Sequence, residues 1–355
     1  MTISRSGNKS NQMTDNILAS CYSSNMKVKI QDIREKIETV LASKGYSAGQ
    51  IESVIEMYLG GELSGHASHG LANFASFASK DYSNLEKPTV IKETDALFMI
   101  DAKSNPGIFI GKTAADEAIK RAKKEVIGVS LIKNMESWPR PGAVAQYIAD
   151  KGYLAIVMND GGGRSIAPPG GFEATLGTNP IAYGIPTAEA SLVVDMATSK
   201  RAWGQVRLAN KYGTDLPADT FYDDQGKLTL DPKNVESVLP FGDYKGYALA
   251  LLIEVLCGSL VGKAMMIVST EGSNFGAKFP DRGGLILVID PSQTVGLEQF
   301  KQQNSEMIEI IKSTKPLPGK TIRIPGEQGS ELERGSINSG EIELPDELWQ
   351  ELQAL

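Results

Sequence analysis

Apolar residues recur at three- and four-residue spacing from Ile30 through Ile33, Ile37, Val40 and Leu41, which predicts an amphipathic helix that stops near Gly45. A second helix should follow at once. Ser47-Ala48-Gly49-Gln50 has a capping-box pattern, and Ile51, Val54, Ile55, Tyr58 and Leu59 form the predicted buried stripe. Gly60, Gly61 and Gly65 are expected to break that helix and to leave residues 64–70 at its end or in the turn beyond. Helical patterns then alternate with short apolar runs: a helix around Thr113–Lys124, a strand at Val126–Ile132, a helix near Gly142–Lys151 and a strand at Tyr153–Met158. Further strands are predicted at Leu192–Met196, Met265–Val268 and Leu285–Asp290, an α/β signature without an internal repeat. The run Tyr247–Gly262, interrupted by Glu254, reads as a buried helix, because it falls short of the roughly 20 residues that span a bilayer. A polar helix near Leu297–Lys312, a Pro/Gly-punctuated segment and an amphipathic stretch ending at Leu355 complete the pattern.

Residues 1–28 are rich in Ser and Asn with no sustained apolar period and are expected to form a disordered tail. The remainder exceeds the usual size of a single core. The expected division is a discontinuous helical domain from both chain ends, residues 29–100 with 291–355, and a sheet domain over 101–290. A cleft between the two is the natural place for a ligand.

A net charge of −7 without a Lys/Arg cluster argues against a nucleic acid or an anionic membrane as partner. Cys21 lies in the polar tail and Cys257 in an apolar run, which suits a reducing compartment rather than a disulfide framework. Zinc held by Cys and His is not expected, nor any other metal. Leu18-Ala19-Ser20-Cys21 superficially matches a lipoprotein cleavage box, but no apolar signal core precedes it, so the chain is expected in the cytoplasm.

The two histidines, His66 and His69, share the stretch Ser64-Gly65-His66-Ala67-Ser68-His69-Gly70. An imidazole beside a hydroxyl and a glycine is a candidate general acid/base, and equally a hydrogen-bonded structural group; His66 leans to the structural reading. Asn159-Asp160-Gly161-Gly162-Gly163-Arg164 follows a strand without fitting a dinucleotide fingerprint. It can be a phosphate cradle, with backbone N–H groups and Arg164 facing an anion, or a plain loop. Asp195 ends an apolar strand, where it can hold an imidazole in one tautomer or serve as a strand-end cap. Lys245, in Tyr244-Lys245-Gly246, can hold a ligand anion or remain a solvated surface residue.

Taken together, Gly65 with Ser68-His69-Gly70, Pro168 to Gly171, Gly177-Thr178-Asn179-Pro180, Asp195-Met196-Ala197-Thr198-Ser199, Tyr244-Lys245-Gly246-Tyr247 and Arg323-Ile324-Pro325-Gly326-Glu327 make the chain resemble the type-2 malate/L-lactate dehydrogenase family. That family also holds ureidoglycolate and sulfolactate dehydrogenases, diketogulonate reductase and cyclic imino-acid reductases. The resemblance covers about Ile30 to Leu355. It implies a non-Rossmann α/β fold with a mixed sheet, a homodimer with its active site near the interface, and interconversion of 2-oxo and 2-hydroxy acids with NAD or NADP. By the same resemblance His69 is the proton donor or acceptor, with Ser68 beside it and Asp195 orienting the ring. Residues 101–290 become the cofactor-binding domain, with contacts from Asp160, Gly161, Gly162, Gly163, Arg164, Tyr244, Lys245, Gly326, Glu327 and Gln328.

Three positions depart from the family pattern. Asn73 stands where an arginine usually grips the substrate carboxylate, and Phe77 replaces a frequent tyrosine. Residues 135–142 read Met-Glu-Ser-Trp-Pro-Arg-Pro-Gly where a second histidine is typical. Trp138 and Arg140 resemble the diketogulonate-reductase branch, so Asn73, Ser137 and Arg140 are the expected substrate-binding residues, with Arg140 as the anion clamp. Two alternatives accompany this reading: reduction of a cyclic imino acid, and a dinucleotide-binding relic without turnover.

Overall fold

The computed structural model describes residues 24–82, 84–263 and 282–355. The strand expected at Met265–Val268 lies outside the described residues, as do Cys21 and most of the expected tail. The last residues of that tail are ordered, which corrects its boundary: Asn25–Lys29 is a strand, β1, paired antiparallel with Glu341–Pro345. Only Val28 of β1 is buried and its partner comes from the other end of the chain, so no local pattern announces it.

The two N-terminal helices are α1 (Ile30–Ser43) and α2 (Ala48–Leu63). Ser47 and Gln50 form a reciprocal capping box: the Gln50 amide donates to Ser47 Oγ at 3.4 Å, and the Ser47 amide donates to Gln50 Oε1 at 2.9 Å. Contrary to expectation, α2 continues through Gly60 and Gly61. A β-carbon on Gly61 would stand 3.0 Å from the His69 carbonyl, and one on Gly60 would stand 3.2 Å from Arg140 Nη1. These glycines make room for neighbours rather than ending the helix.

After a short helix α3 (Phe74–Ala78) come β2 (Thr89–Glu93), β3 (Leu97–Asp101), α4 (Gly107–Glu125), β4 (Ile127–Met135), α5 (Gly142–Asp150), β5 (Leu154–Asn159), β6 (Ile181–Ile185), β7 (Leu192–Met196) and α6 (Gly204–Tyr212). The strands β8 (Phe221–Tyr222), β9 (Leu228–Thr229) and β10 (Ser237–Val238) form a small separate sheet ahead of α7 (Tyr244–Cys257) and β11 (Arg282–Ile289). The central sheet has seven strands in the order β2-β3-β4-β11-β5-β6-β7, and only β3 and β4 run parallel. This is the expected mixed α/β sheet.

β11 lies at its centre with Leu285 opposite Leu131 of β4 and Met158 of β5. Its run Leu285-Ile286-Leu287-Val288 is apolar without alternation because both faces are covered. Ile286 and Val288 join the core under α4 and α5, while Leu285 and Leu287 pack toward α7. α7 is buried on one face only: Ile253, Glu254 and Cys257 point inward, whereas Leu251, Leu252 and Val255 are exposed. The expectation of a buried helix holds for one face only.

The two chain ends meet. Leu344 of β12 (Glu341–Pro345), and Leu348 and Leu352 of the last helix, Asp346–Gln353, join Ile33 and Ile37 of α1 in one core. That core runs on through α2 and α4 into the sheet, and β2 and β3 belong to the sheet, so the division at residue 100 is not a boundary in packing. Helix α8 (Leu297–Lys312) also departs from the expected helical domain. It rests on the β6–β7 turn, where the Ala188 amide donates to Ser305 Oγ at 2.9 Å and Asn304 Nδ2 donates to the Pro186 carbonyl at 3.0 Å.

Candidate active site

A cavity of about 510 Å³ opens where the turn after α2, the β4–α5 loop, the end of β7 and the start of α6 converge. Its lining includes His66, Ser68, His69, Asn73, Ser137, Arg140, Gly161, Gly162 and Asp195, so much of the expected site is brought together. Six cationic side chains line it (Lys80, Arg140, Lys200, Arg201, Arg207 and Arg282) against two carboxylates, Glu136 and Asp195. In a chain of net charge −7 this is a strong local reversal of sign, suited to anionic ligands.

Ser68 and His69 sit in a single 3-10 turn, Ala67–His69, directly after α2. Ser68 Oγ and His69 Nδ1 are 3.1 Å apart, which leaves Nε2 as the nitrogen not engaged by the hydroxyl. Burial, reinforced by Arg207, His66, Arg140 and Arg282, pulls the His69 ring down to about 3, so it is neutral at physiological pH. The turn is braced from two sides. Asn73 Nδ2 donates to the Ser68 carbonyl, and Glu62 Oε2 accepts the Leu71 amide at 2.8 Å. Asn73 thus lines the cavity with one amide hydrogen given to the backbone. Burial pushes the Glu62 carboxyl up to about 7 against the pull of the Leu71 bond.

Asp195 does not serve His69 as expected. Its Oδ2 accepts the amide of Gly142, the first residue of α5, at 2.9 Å, and the charges beside it are His66 and Arg140. Burial raises its carboxyl, opposed by those neighbours. Arg140 is buried, reaches Ser64 Oγ with Nη2 at 3.2 Å and has Asp195 and Glu333 as counter-charges. It lines the cavity.

The glycine run is organised differently from a phosphate cradle. The Gly161 amide donates to Asn179 Oδ1 at 2.8 Å and the Gly162 amide to Asp160 Oδ1 at 3.2 Å, so both donors are committed inside the protein. Asp160 is wholly buried, and its Oδ2 accepts from Lys263 Nζ and from the Gly283 amide, each at 2.6 Å. It ties the loop to β11 and is closed to a ligand. What the run holds is a side chain. A β-carbon on Gly162, where φ is +61°, would lie 2.4 Å from Arg282 Nε, so the glycine is the seat of that guanidinium.

Gly163, Arg164, Tyr244, Lys245, Gly326, Glu327 and Gln328 lie outside the cavity lining. Tyr244 and Lys245 are exposed at the start of α7. Glu327 pairs with Lys312 and accepts the Ile324 amide at 3.1 Å, and Gln328 lines a second recess that Glu62 and Gly65 also border. The sequence reading missed Arg201, Arg207 and Arg282. A helix of mixed polarity and a strand edge gave no periodic signal for them, although Arg207 lies four residues past Trp203 on the short helix that borders the cavity.

The sequence profile of the malate/L-lactate dehydrogenase family matches residues 28–353. The malate/(S)-sulfolactate dehydrogenase of Methanothermus fervidus is 30% identical over 93% of this chain and 97% of its own length. The 2,3-diketo-L-gulonate reductase of Citrobacter koseri is 27% identical over 93% of this chain and all (100%) of its own. The solved structure of sulfolactate dehydrogenase from Methanocaldococcus jannaschii superposes with a TM-score of 0.80 at 28% identity, covering 92% of this chain and 95% of that one.

Proposed function

The chain belongs to the malate/L-lactate dehydrogenase family, and we propose that it interconverts a 2-oxo acid and its 2-hydroxy acid, with His69 as the proton donor and acceptor. Family members are oxidoreductases acting on CH–OH groups and depend on pyridine nucleotides. The observation that carries the reading is the Ser68–His69 pair set in a cavity of reversed charge.

The residues at the end of β7 fit a dinucleotide. Met196 and Ala197 give an apolar strip, and Ser199, Lys200 and Arg201 follow it along the same wall with hydroxyl and cationic groups. Such an order suits a nicotinamide ring followed by a diphosphate. When bound, the cofactor supplies or accepts the hydride at nicotinamide C4. The protein's share is to align the acid and to move one proton.

In the oxidative direction neutral His69 takes the hydroxyl proton on Nε2, while Nδ1–H donates to Ser68 Oγ. In the reductive direction both nitrogens carry protons, and Nε2–H is given to the carbonyl oxygen as the carbon accepts hydride. The Ser68 bond serves both states, so the ring keeps one orientation through the cycle. Burial keeps the free ring neutral and the surrounding guanidiniums add to it; they are the groups an anionic substrate would pair with, and pairing makes a cationic ring less costly.

The exposed apolar side chains Leu251, Leu252 and Val255 on α7, and Ile310 and Ile311 on α8, support a homodimer, which light scattering of the purified protein tests. The activity is tested by following NADH and NADPH oxidation with 2-oxo acids, sugar-derived diketo acids and cyclic imines. Turnover of a 2-oxo acid supports the reading. Exclusive turnover of a cyclic imine moves the acceptor from C=O to C=N, and cofactor binding without turnover of any substrate defeats the assignment.

A further inference from the structure

Tyr58 lies on α2 one turn ahead of Glu62, is 5% exposed and lines the active cavity together with His69. Its ring is firmly held. Phe74 meets it edge-on with ring centroids 6.1 Å apart, and Phe77 packs on it at 5.6 Å with the planes tilted by 50°. Both partners belong to α3, the helix that follows the His69 turn, so the phenol and the imidazole are carried by one packed unit. The hydroxyl at the end of this fixed ring forms no hydrogen bond among the described residues. What acts on it is burial, which raises the phenol, with the Glu136 carboxylate adding to the rise and the Arg207 guanidinium opposing it. The oxygen therefore keeps its proton and is a donor. A buried tyrosine hydroxyl usually finds a partner, because leaving the bond unmade costs about 1–3 kcal/mol. Here its open side is the cavity. Arg207 ties the hydroxyl to the catalytic turn: after burial its charge is the first to act on His69, and the same charge acts on Tyr58. A β-carbon on Gly204 would stand 3.1 Å from Ser68 Cβ and 3.6 Å from Arg207 Nη2, so the guanidinium reaches that turn. Imidazole and phenol thus border the part of the cavity that Arg207 reaches.

We infer that Tyr58 is a catalytic residue whose hydroxyl donates a hydrogen bond to the same substrate oxygen that receives the proton of His69. The inference rests on the 2-oxo acid reading and deepens it. As hydride reaches the carbonyl carbon, the π electron pair of C=O moves onto oxygen. The Nε2 proton of His69 forms the new O–H bond, and Tyr58 keeps its own proton throughout. In the oxidative direction the substrate hydroxyl gives its hydrogen to Nε2 and accepts from Tyr58 with a lone pair. A fixed donor aimed at the atom where charge develops attracts the transition state more than the ground state and needs no rearrangement to do so. A phenol does this without adding another charge to a cavity already lined by six cations. Arg140 remains the group for the substrate carboxylate.

The test is Tyr58→Phe, which removes one oxygen and keeps the ring contacts with Phe74 and Phe77, so that the variant folds. In the cofactor-loaded enzyme kcat for the preferred 2-oxo acid should fall about 10²-fold, the scale of one donor lost from a developing oxyanion, while KM rises no more than about fivefold. Deuterium at nicotinamide C4 should slow the variant more than the wild type, because the step that has become slow is the chemical one. A kcat within about twofold of the wild type, or a loss confined to KM, overturns the assignment. Binding is read separately by calorimetric titration of the NADH-loaded protein with two unreactive acids: oxamate, which has both a carboxylate and a carbonyl oxygen, and propionate, which lacks the carbonyl. Tyr58→Phe should weaken oxamate about fivefold, the scale of one net hydrogen bond, and leave propionate unchanged. Equal losses place the hydroxyl on the carboxylate and overturn the inference. The two arms separate the inference from the reading beneath it. Oxamate selectively weakened in the variant, with no 2-oxo acid turned over by the wild type, supports the hydroxyl at the carbonyl oxygen and removes the reading. Full-rate turnover by Tyr58→Phe does the reverse, and a wild type that does not bind oxamate removes both.

Discussion

Asp195 accepts the Gly142 amide at 2.9 Å and has His66, not His69, as its imidazole neighbour. A carboxylate on the first amide of α5 is favoured by the unsatisfied donors and the dipole of that helix end. The residue therefore fixes the β4–α5 loop that carries Arg140, and acts on the chemistry through Arg140's position. Asp195→Asn retains an oxygen for Gly142 and is expected to lower kcat by less than about tenfold while raising the substrate KM, whereas a carboxylate that orients a catalytic imidazole costs on the order of 10⁴ when so replaced. Steady-state kinetics of this one variant decide between the two roles.

Asp160 is expected to report on stability. Its carboxylate is fully buried, paired with Lys263 and bonded to the Gly162 and Gly283 amides. Removing one partner of such a pair strands the other charge, and Asp160→Ala should cost about 3 kcal/mol or more in denaturant unfolding. An unchanged unfolding midpoint with weakened cofactor binding would restore the ligand role that the sequence suggested.

Glu62 makes folding depend on pH in a definite direction. Its carboxyl, raised by burial from about 4.5 to about 7, holds more protons in the folded chain than in the unfolded one across that window. Stability contributed by this group is therefore present below the window and lost as pH rises through it. Glu62→Gln keeps an acceptor for the Leu71 amide and removes the titration. Between about pH 5 and about pH 8 the melting temperature of the wild type should fall by more than that of the variant, and equal falls contradict the assignment.

Arg140 is expected to separate substrate from cofactor. Arg140→Ala removes a buried guanidinium that lines the cavity and should raise the 2-oxo acid KM by about tenfold to a hundredfold. Cofactor affinity, measured by nicotinamide fluorescence, should change by less than about threefold, because the wall from Met196 to Arg201 is untouched. Equal losses of both would place Arg140 on the cofactor instead.

The sequence carried the fold well where the determinants are local. The spacing Ile33, Ile37, Val40, Leu41 and the Ser47–Gln50 box specify α1 and α2, and the unbroken apolar run of β11 declares a strand covered on both faces. It was silent where partners are remote. β1 exists because Glu341–Pro345 lies beside it, and the exposed half of α7 has the same apolar composition as its buried half. In the site, Ser68, His69 and Arg140, singled out from the sequence, line one cavity. The glycine run misled for a physical reason: glycine marks close approach of something to the backbone, and only the fold reveals that the visitor is Arg282 and that Asn179 and Asp160 have already taken the loop amides. The resemblance implies Asp195 as the partner of His69, while three-dimensional packing sets it beside His66.

The central claim is that His69 moves the proton. The most direct measurement is single-turnover and steady-state reduction of the preferred 2-oxo acid by His69→Ala, with cofactor affinity titrated on the same preparation. The account predicts a kcat lower by about 10²–10⁴ with cofactor affinity changed less than about twofold. A variant that reduces the acid at the wild-type rate would contradict it.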